Sequence, residues 1–143
     1  MRITFAHVCD YASVSREGKL SVNGIFDRVN APSVPVVHPM MYLAFEFEAT
    51  AAELGRDFTL EIKLATEDGK DIMKTEVTAA IQAPPPGAQA PLSAKIPQVM
   101  ALAGVPLPRF GRYGFYLWIN GDLKREASFE VTLTDSTPQP LQQ

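Results

Sequence analysis

The sequence predicts an all-β protein folded as a single antiparallel β-sandwich of about seven or eight short strands. Apolar and polar residues alternate in several short segments, turn residues separate these segments, and no long segment has the apolar spacing of an amphipathic helix. The clearest alternation is Tyr113, Phe115 and Leu117, which leads into Asn120-Gly121. Asn-Gly between two alternating segments is the strongest local sign of a β-hairpin.

The first part of the chain predicts two short strands and a crossing loop. Ile3 begins a strand that ends near Asp10, residues 15–18 form a turn, and a second strand follows from Lys19. Gly24 inside the second strand predicts a bulge or a bend. Residues 30–39 contain three prolines. This segment therefore predicts an extended crossing loop rather than a central strand.

The middle of the chain predicts a hairpin around Asp68-Gly69. Alternating residues place one apolar face on each of two strands, with Leu43, Phe45 and Phe47 on the first and Phe58, Leu60, Ile62 and Leu64 on the second. A two-residue loop pairs Glu67 with Lys70, Leu64 with Met73 and Leu60 with Val77. This register predicts a buried face made of Met73, Val77, Ala79 and Ile81.

A two-residue loop does not give a consistent register for the hairpin at Asn120-Gly121. A two-residue loop alone would turn Phe129 and Val131 away from the face that carries Phe115. Two arrangements restore agreement. One is a three-residue loop with a left-handed Gly121 and a bulge, and the other is a bulge further along the second strand.

A proline-rich segment interrupts the second half of the chain. It predicts an exposed, extended loop that contains Pro84, Pro85, Pro86 and Pro91. Residues 96–104 are compatible with a short helix, because Pro97 suits a helix start and Gly104 a helix end, or with a strand, which the surrounding β structure favours. Residues 1–134 form the predicted domain, and residues 135–143 the predicted disordered tail.

Composition narrows the class of protein. The chain has 143 residues, a net charge of −3 and a single cysteine, Cys9. The charge argues against a nucleic-acid partner, because no basic stripe is present to neutralise phosphates. The chain shows no signal peptide and no apolar segment long enough to span a bilayer, which argues against a membrane partner. With no disulfide to form inside the chain, a cytoplasmic location is expected.

Several segments resemble one known family. The residues that carry the resemblance are Asp10-Tyr11-Ala12-Ser13-Val14, Gly18-Lys19-Leu20-Ser21-Val22-Asn23-Gly24-Ile25-Phe26-Asp27-Arg28, His38-Pro39 and Pro108-Arg109-Phe110-Gly111-Arg112-Tyr113. They are similar to a family of short bacterial proteins described as a domain of unknown function. The resemblance implies an immunoglobulin-like or similar sandwich, and it favours a strand at residues 96–104. The long proline- and alanine-rich segment departs from the family pattern.

The chain contains few residues of the types that commonly ligate a metal ion. His7 and Cys9 share a face if they lie on a strand, and Asp10 and His38 are the further candidates. A structural zinc site uses four cysteine or histidine ligands, whereas the chain has three such residues. We therefore expect a buried thiol and hydrogen-bonded histidines, with no metal and no cofactor. The chain also has no Gly-x-Ser-x-Gly nucleophile motif.

Tyr116 and Trp118 are the candidate contact residues. They lie on the face opposite to Phe115, where neighbouring aromatic side chains often mark a protein or sugar contact surface. The alternative is that the proline-rich loop or the tail covers them. The sequence thus predicts a non-enzymatic module that works by protein contact or assembly, such as a phage-type structural or accessory protein. The alternatives are a carbohydrate- or small-ligand-binding sandwich, and a metal-dependent hydrolase.

Overall fold

The computed structural model describes residues 1–89 and 91–134, and these residues form nine strands. The strands are β1 (Arg2–Val14), β2 (Leu20–Ile25), β3 (Arg28–Ala31), β4 (Val36–Thr50), β5 (Asp57–Thr66), β6 (Asp71–Ala80), β7 (Ser93–Leu107), β8 (Gly111–Ile119) and β9 (Asp122–Leu133). A single 3-10 turn, Ala51–Glu53, joins β4 to β5. The prediction of an all-β chain is confirmed.

The strands form two sheets. The first has the order β2-β1-β4-β7, and the second has the order β3-β9-β8-β5-β6. Every neighbouring pair is antiparallel except β3 and β9, which run parallel. The number of strands exceeds the predicted seven or eight. One reason is that β3 has only four residues and pairs with the far end of the chain, so no local pattern indicates it.

The two sheets share one apolar core. Leu43, Phe45 and Phe47 of the first sheet and Phe115 and Leu117 of the second are at most 5% exposed and belong to the same cluster. These are the residues that period-two alternation placed on inner faces, so the predicted faces are confirmed. The rings of Phe45, Phe47 and Phe58 meet edge to face, with centroids 5.3–5.4 Å apart.

The last hairpin has the second of the two predicted arrangements. Ile119 lies opposite Asp122, so the loop contains only Asn120 and Gly121, both with positive φ (50° and 83°). The register shifts between Leu117 and Trp118, because Leu117 pairs with Arg125 while Trp118 pairs with Leu123. The three-residue loop is therefore wrong, and a bulge in β9 returns Phe129 and Val131 to the core.

The loop between β5 and β6 differs from the predicted two-residue loop. Thr66 donates its backbone N–H to Lys70 O at 2.9 Å, and Gly69 donates to Thr66 O at 3.0 Å with φ of 88°. The loop thus has three residues, and the predicted pairing of Glu67 with Lys70 is wrong. A register shift next to Leu64 compensates, so the predicted pairs Leu64–Met73 and Leu60–Val77 are confirmed.

The predicted crossing loop at residues 30–39 is shorter than expected. Residues 30–31 and 36–39 of the predicted crossing loop belong to strands, because β3 ends at Ala31 and β4 begins at Val36 and includes Pro39. The pairs between β1 and β4 extend only as far as Cys9 and Tyr42, so β4 has β7 as its one neighbour at Pro39. One free edge is enough to accommodate a residue that lacks an N–H.

Three further predictions concern turns and strands. Residues 15–18 form the predicted turn, in which Gly18 donates to Ser15 O at 3.0 Å. Gly24 has φ of 70° inside β2, and the side chain of Asp10 on β1 lies directly over it, while the register with β1 continues without a bulge. Residues 96–104 belong to β7, so the strand is confirmed and the helix is wrong. The predicted tail, residues 135–143, lies outside the described residues.

Candidate functional site

An apolar cleft of about 440 Å³ opens between the two sheets along one side of the molecule. Its walls are β6 and β7, which are the last strands of their sheets. Both sheets supply its floor, which consists of the buried core residues Phe45, Phe47, Phe58 and Ile62, with the partly buried Leu60, Ile96 and Met100 packed beside them. The cleft is therefore an opening into the hydrophobic core rather than a depression in the polar surface.

The predicted buried face of β6 lies in this cleft. Val77, Ala79 and Ile81 line it, and Met73 lines its continuation towards the other end of the sheets. Their side is as predicted, but the prediction of burial is wrong: Val77 is 48% exposed, Ala79 is exposed, and Met73 and Ile81 are half-buried. The physical reason is that β6 is the last strand of its sheet among residues 1–89 and 91–134, so no neighbouring strand shields these side chains.

The cleft contains no charged side chain among the described residues that line it. Its polar side chains are Thr75, Gln82 and Gln98. A second, shallower region shares Thr75 and Met100 with it and extends along β7 to Pro106. A charged group would lose its hydration in such a cleft without gaining a partner, so the lining is compatible with apolar, uncharged groups.

The proline-rich segment leaves β6 at one end of the cleft. Ile81 and Gln82 belong both to the start of this segment and to the cleft wall, and Gly55 donates its N–H to Ile81 O at 2.7 Å. The predicted contact residues Pro85, Pro86 and Pro91 are exposed, whereas Pro84 is half-buried. Leu92, which follows Pro91, is 97% exposed.

The structure brings Tyr116 and Trp118 together on the outer face of the second sheet. Their ring centroids are 6.0 Å apart, and both side chains are half-buried. Lys63 Nζ lies 5.4 Å from the centre of the Trp118 ring, so a cation shields part of this aromatic face. The ring of Tyr116 lies over Gly114, where an added Cβ would meet it at 3.1 Å.

The metal-type residues occupy separate environments. The ring of His7 stacks on Phe5 with centroids 5.6 Å apart, and His38 lies 6.0 Å from the ring of Phe26. Cys9 is fully buried, its thiol lies 3.6 Å from Tyr42 O, and burial raises the pKa of the thiol. Residues 1–89 and 91–134 contain no group of three histidine, cysteine, aspartate or glutamate side chains positioned to hold a metal ion.

Sequence reasoning missed the cleft, although one signal for it was present. Lys95 is the only charged residue between Thr78 and Pro108, which is the stretch that supplies the β7 wall. A long uncharged stretch beside an edge strand indicates apolar contact on that edge. The described residues also contain no helix long and apolar enough to cross a membrane.

Comparison with known proteins identifies the family. The model of a family of unknown function (DUF6941) matches residues 4–132. The chain belongs to this family. The resemblance that the motifs from Asp10 to Arg28 indicated is thereby confirmed. No curated protein matches the chain.

One solved structure that resembles the chain is "Pseudomonas fluorescens alkylpurine DNA glycosylase AlkC bound to DNA containing an abasic site analog". The identity is 13%, the TM-score is 0.47, and the match covers 92% of this chain. The chain spans 30% of the length of that glycosylase. A likeness with this TM-score carries no argument about what the present chain binds.

The prediction of no nucleic-acid partner does not hold as an exclusion, because the net charge of −3 was its only basis. The DNA is a property of the glycosylase structure and says nothing of what this chain binds. The physical error is that a net charge sums over the whole surface and does not describe any one part of it. Arg2, Lys124 and Arg125, for example, line one shallow pocket together despite the total of −3.

Proposed function

We propose that this chain is a non-enzymatic, immunoglobulin-like β-sandwich module that works by contacting another protein through its apolar cleft. The occupant would be an uncharged, extended segment of that protein, paired along β7. One observation carries the proposal: the cleft is uncharged and is flanked by an edge strand that has no neighbour among the described residues. Backbone pairing then supplies affinity, and the apolar floor supplies selectivity.

Strand order supports the immunoglobulin-like assignment. In that fold, strands A, B, E and D form one sheet, strands C, F and G form the other, and an added C′ strand extends the second sheet. Here β1, β4 and β7 take the places of A, B and E, and β5, β8 and β9 take those of C, F and G, with β6 as C′. Residues 81–89 and 91–92, which lie between C′ and E, contain no strand, so no described residue pairs with β7 on the side where D would pair.

A buried tyrosine gives independent support. Tyr113, near the start of β8, is 1% exposed, and its hydroxyl donates to Arg109 O at 2.7 Å. Arg109 donates its backbone N–H back to the same hydroxyl oxygen at 3.1 Å. A tyrosine near the start of strand F that binds the backbone a few residues upstream is typical of immunoglobulin-like sandwiches.

The cleft also supports the non-enzymatic part of the proposal. Its lining has no titratable side chain, so it provides neither a general acid nor a general base. The thiol of Cys9 is fully buried, and burial raises its pKa, so it is poorly suited to nucleophilic attack. A single cysteine forms no internal disulfide, which fits a reducing compartment. We propose a module of the bacterial cytoplasm, with a structural or accessory role.

Matched charge insertions test this function. Met100→Asp places a carboxylate in the cleft, whereas Thr78→Asp places one on the exposed outer face of β6. Proteins captured from a bacterial lysate by the wild type should be lost with Met100→Asp and retained with Thr78→Asp and Trp118→Ala. If Met100→Asp does not unfold cooperatively, Gln98→Glu, at an exposed position in the cleft, replaces it. Equal capture by all variants would contradict the proposal.

The cleft volume favours one second candidate function, the binding of a small apolar ligand. Ligand pockets usually measure roughly 300–1,000 Å³ with mostly apolar walls, and this cleft, at about 440 Å³, falls within that range. Nile red, an uncharged apolar dye, would then bind in a saturable manner to the wild type and to Thr78→Asp, but not to Met100→Asp. Trp118→Ala distinguishes a carbohydrate site at Tyr116 and Trp118, because it would remove sugar binding and leave dye binding intact.

A further inference from the structure

We propose that a second copy of this chain pairs with β6 in antiparallel orientation, centred on Thr75, so that two five-stranded sheets join into one. This inference goes beyond the proposed function, because it concerns the edge of β6 and leaves the edge of β7, on which the proposed function depends, available. It follows from the charges along β6 and from the exposure of its apolar side.

Within the part of the chain that the structure describes, β6 is a sheet edge that no further strand covers. It has ten residues, contains neither proline nor glycine, and stands last in its sheet. Its only irregularity lies next to the turn, where the register shifts opposite Leu64 and Ala65. A regular strand from Met73 to Ala80 therefore presents backbone groups that no other described strand pairs with, which is the usual template for adding a strand.

Within one copy, the charges of β6 are poorly matched. Glu76 lies directly opposite Glu61 on β5, and Lys74 lies directly opposite Lys63. Like charges in directly opposed positions destabilise a sheet. Lys74 relieves this in part by reaching Glu61 at 3.7 Å. None of the ion pairs formed by residues 1–89 and 91–134 includes Glu76.

A twofold axis at Thr75 corrects this mismatch. In an antiparallel pair centred there, each residue faces the residue equally distant from Thr75 on the second copy. Lys74 then faces Glu76 of the other copy, and the symmetry repeats this pair. Registers centred on Lys74 or on Glu76 instead oppose two identical charges. The charges therefore select the register centred on Thr75 from its neighbours.

The same register also matches the apolar side of β6. Met73 faces Val77 of the second copy, and both side chains point to the cleft side of the sheet. Val77, which is 48% exposed in one copy, is thereby covered. The pairing is isologous, so it closes as a dimer and does not continue into a fibre.

Charge reversal tests the register directly. Lys74→Glu places two carboxylates opposite each other in a homodimer, and Glu76→Lys places two ammonium groups there. Light scattering after size-exclusion chromatography, from low micromolar to submillimolar concentration, should show a dimer for the wild type. Each single variant should associate at least roughly tenfold more weakly than the wild type. An equimolar mixture of the two variants should associate at least as well as the wild type, because every charged pair is then attractive.

Two controls separate this result from unfolding. Lys19→Glu changes the same charge beside a distant turn and should keep the wild-type dimer. The recovered association of the mixture shows that both single variants are folded. A wild type that stays monomeric at every concentration, or single variants that both dimerise as tightly as the wild type, would overturn the proposal. In either case the capture experiment with Met100→Asp still decides the proposed function independently.

Discussion

Tyr113→Phe removes one hydroxyl from a fully packed position. It therefore measures how much the hydrogen bonds of this hydroxyl, at the corner between β7 and β8, contribute to the free energy of unfolding. The hydroxyl makes two hydrogen bonds with the backbone of Arg109, at 2.7 and 3.1 Å. The ring remains stacked on Phe129, with centroids 5.4 Å apart and planes inclined by 7°. The substitution therefore deletes the hydrogen bonds and leaves the packing of the aromatic ring unchanged.

The expected loss in the free energy of unfolding follows from these two hydrogen bonds. Each hydrogen bond contributes about 0.5–1.5 kcal/mol net, so their loss costs about 1–3 kcal/mol. Arg109 is an exposed residue, so its released N–H and C=O groups are accessible to water, which favours the lower half of that range. At about 4 °C per kcal/mol for a chain of this size, Tm should fall by about 4–8 °C.

Thermal unfolding followed by circular dichroism, together with urea unfolding, provides the assay. Tyr42→Phe is the matched control, because no hydrogen bond of the Tyr42 hydroxyl exists among the described residues and its ring contact with Tyr11, at 5.2 Å, is retained. The control should stay within about 0.5 kcal/mol of the wild type. An equally small effect for Tyr113→Phe would refute the reasoning that this corner stabilises the fold.

Two further predictions concern the other end of the first sheet and the turn after β4. Gly24→Ala should destabilise the chain by about 1 kcal/mol more than Gly18→Ala, since both have positive φ (70° and 80°) but only the Gly24 Cβ would meet Asp10, at 2.4 Å. Urea unfolding of both variants checks this, and equal losses would contradict it. The hydrogen bond from the terminal amine of Met1, followed by that from Thr50 N–H, lowers the pKa of Glu53 to about 2. Because the folded-state pKa lies below the unfolded-state value of 4.5, this carboxylate stabilises the fold above that value and loses its effect as pH falls towards 2. The Glu53 side chain is 32% exposed, so the difference in unfolding free energy between the wild type and Glu53→Gln should be about 1 kcal/mol at pH 7. This difference should shrink between about pH 5 and pH 2, and a difference independent of pH would show that the ion pair contributes nothing.

The two hairpins show how far local sequence determines a β-fold. Both turns and all the pairs needed to place Leu60, Leu64 and Phe115 on inner faces follow from alternation and from glycine positions. The type of each loop does not follow. A one-residue change in the loop and a one-residue bulge in the strand have the same effect on register, so the apolar pattern specifies only their sum.

The candidate contact residues likewise have some features that local sequence predicts and others that depend on strand pairing. Alternation places Tyr116 and Trp118 on one outer face, and the structure confirms that they are neighbours. No local pattern indicates that Lys63 of another strand lies over the Trp118 ring, because that contact requires β5 and β8 to be adjacent. The mutual distance of His7, Cys9 and His38 is likewise set by strand order and twist, which local spacing does not contain.

The sequence by itself determined the fold class, the family, most strand faces and the glycine turns, because each of these depends on residues within a few positions of one another. Only the tertiary structure shows that β3 pairs with β9 and that, among the described strands, β6 and β7 are the last in their sheets. It alone decided, as a result, that Val77 lines an open cleft. Alternation gives the direction in which a side chain points. Only the pairing of distant strands determines whether anything covers it.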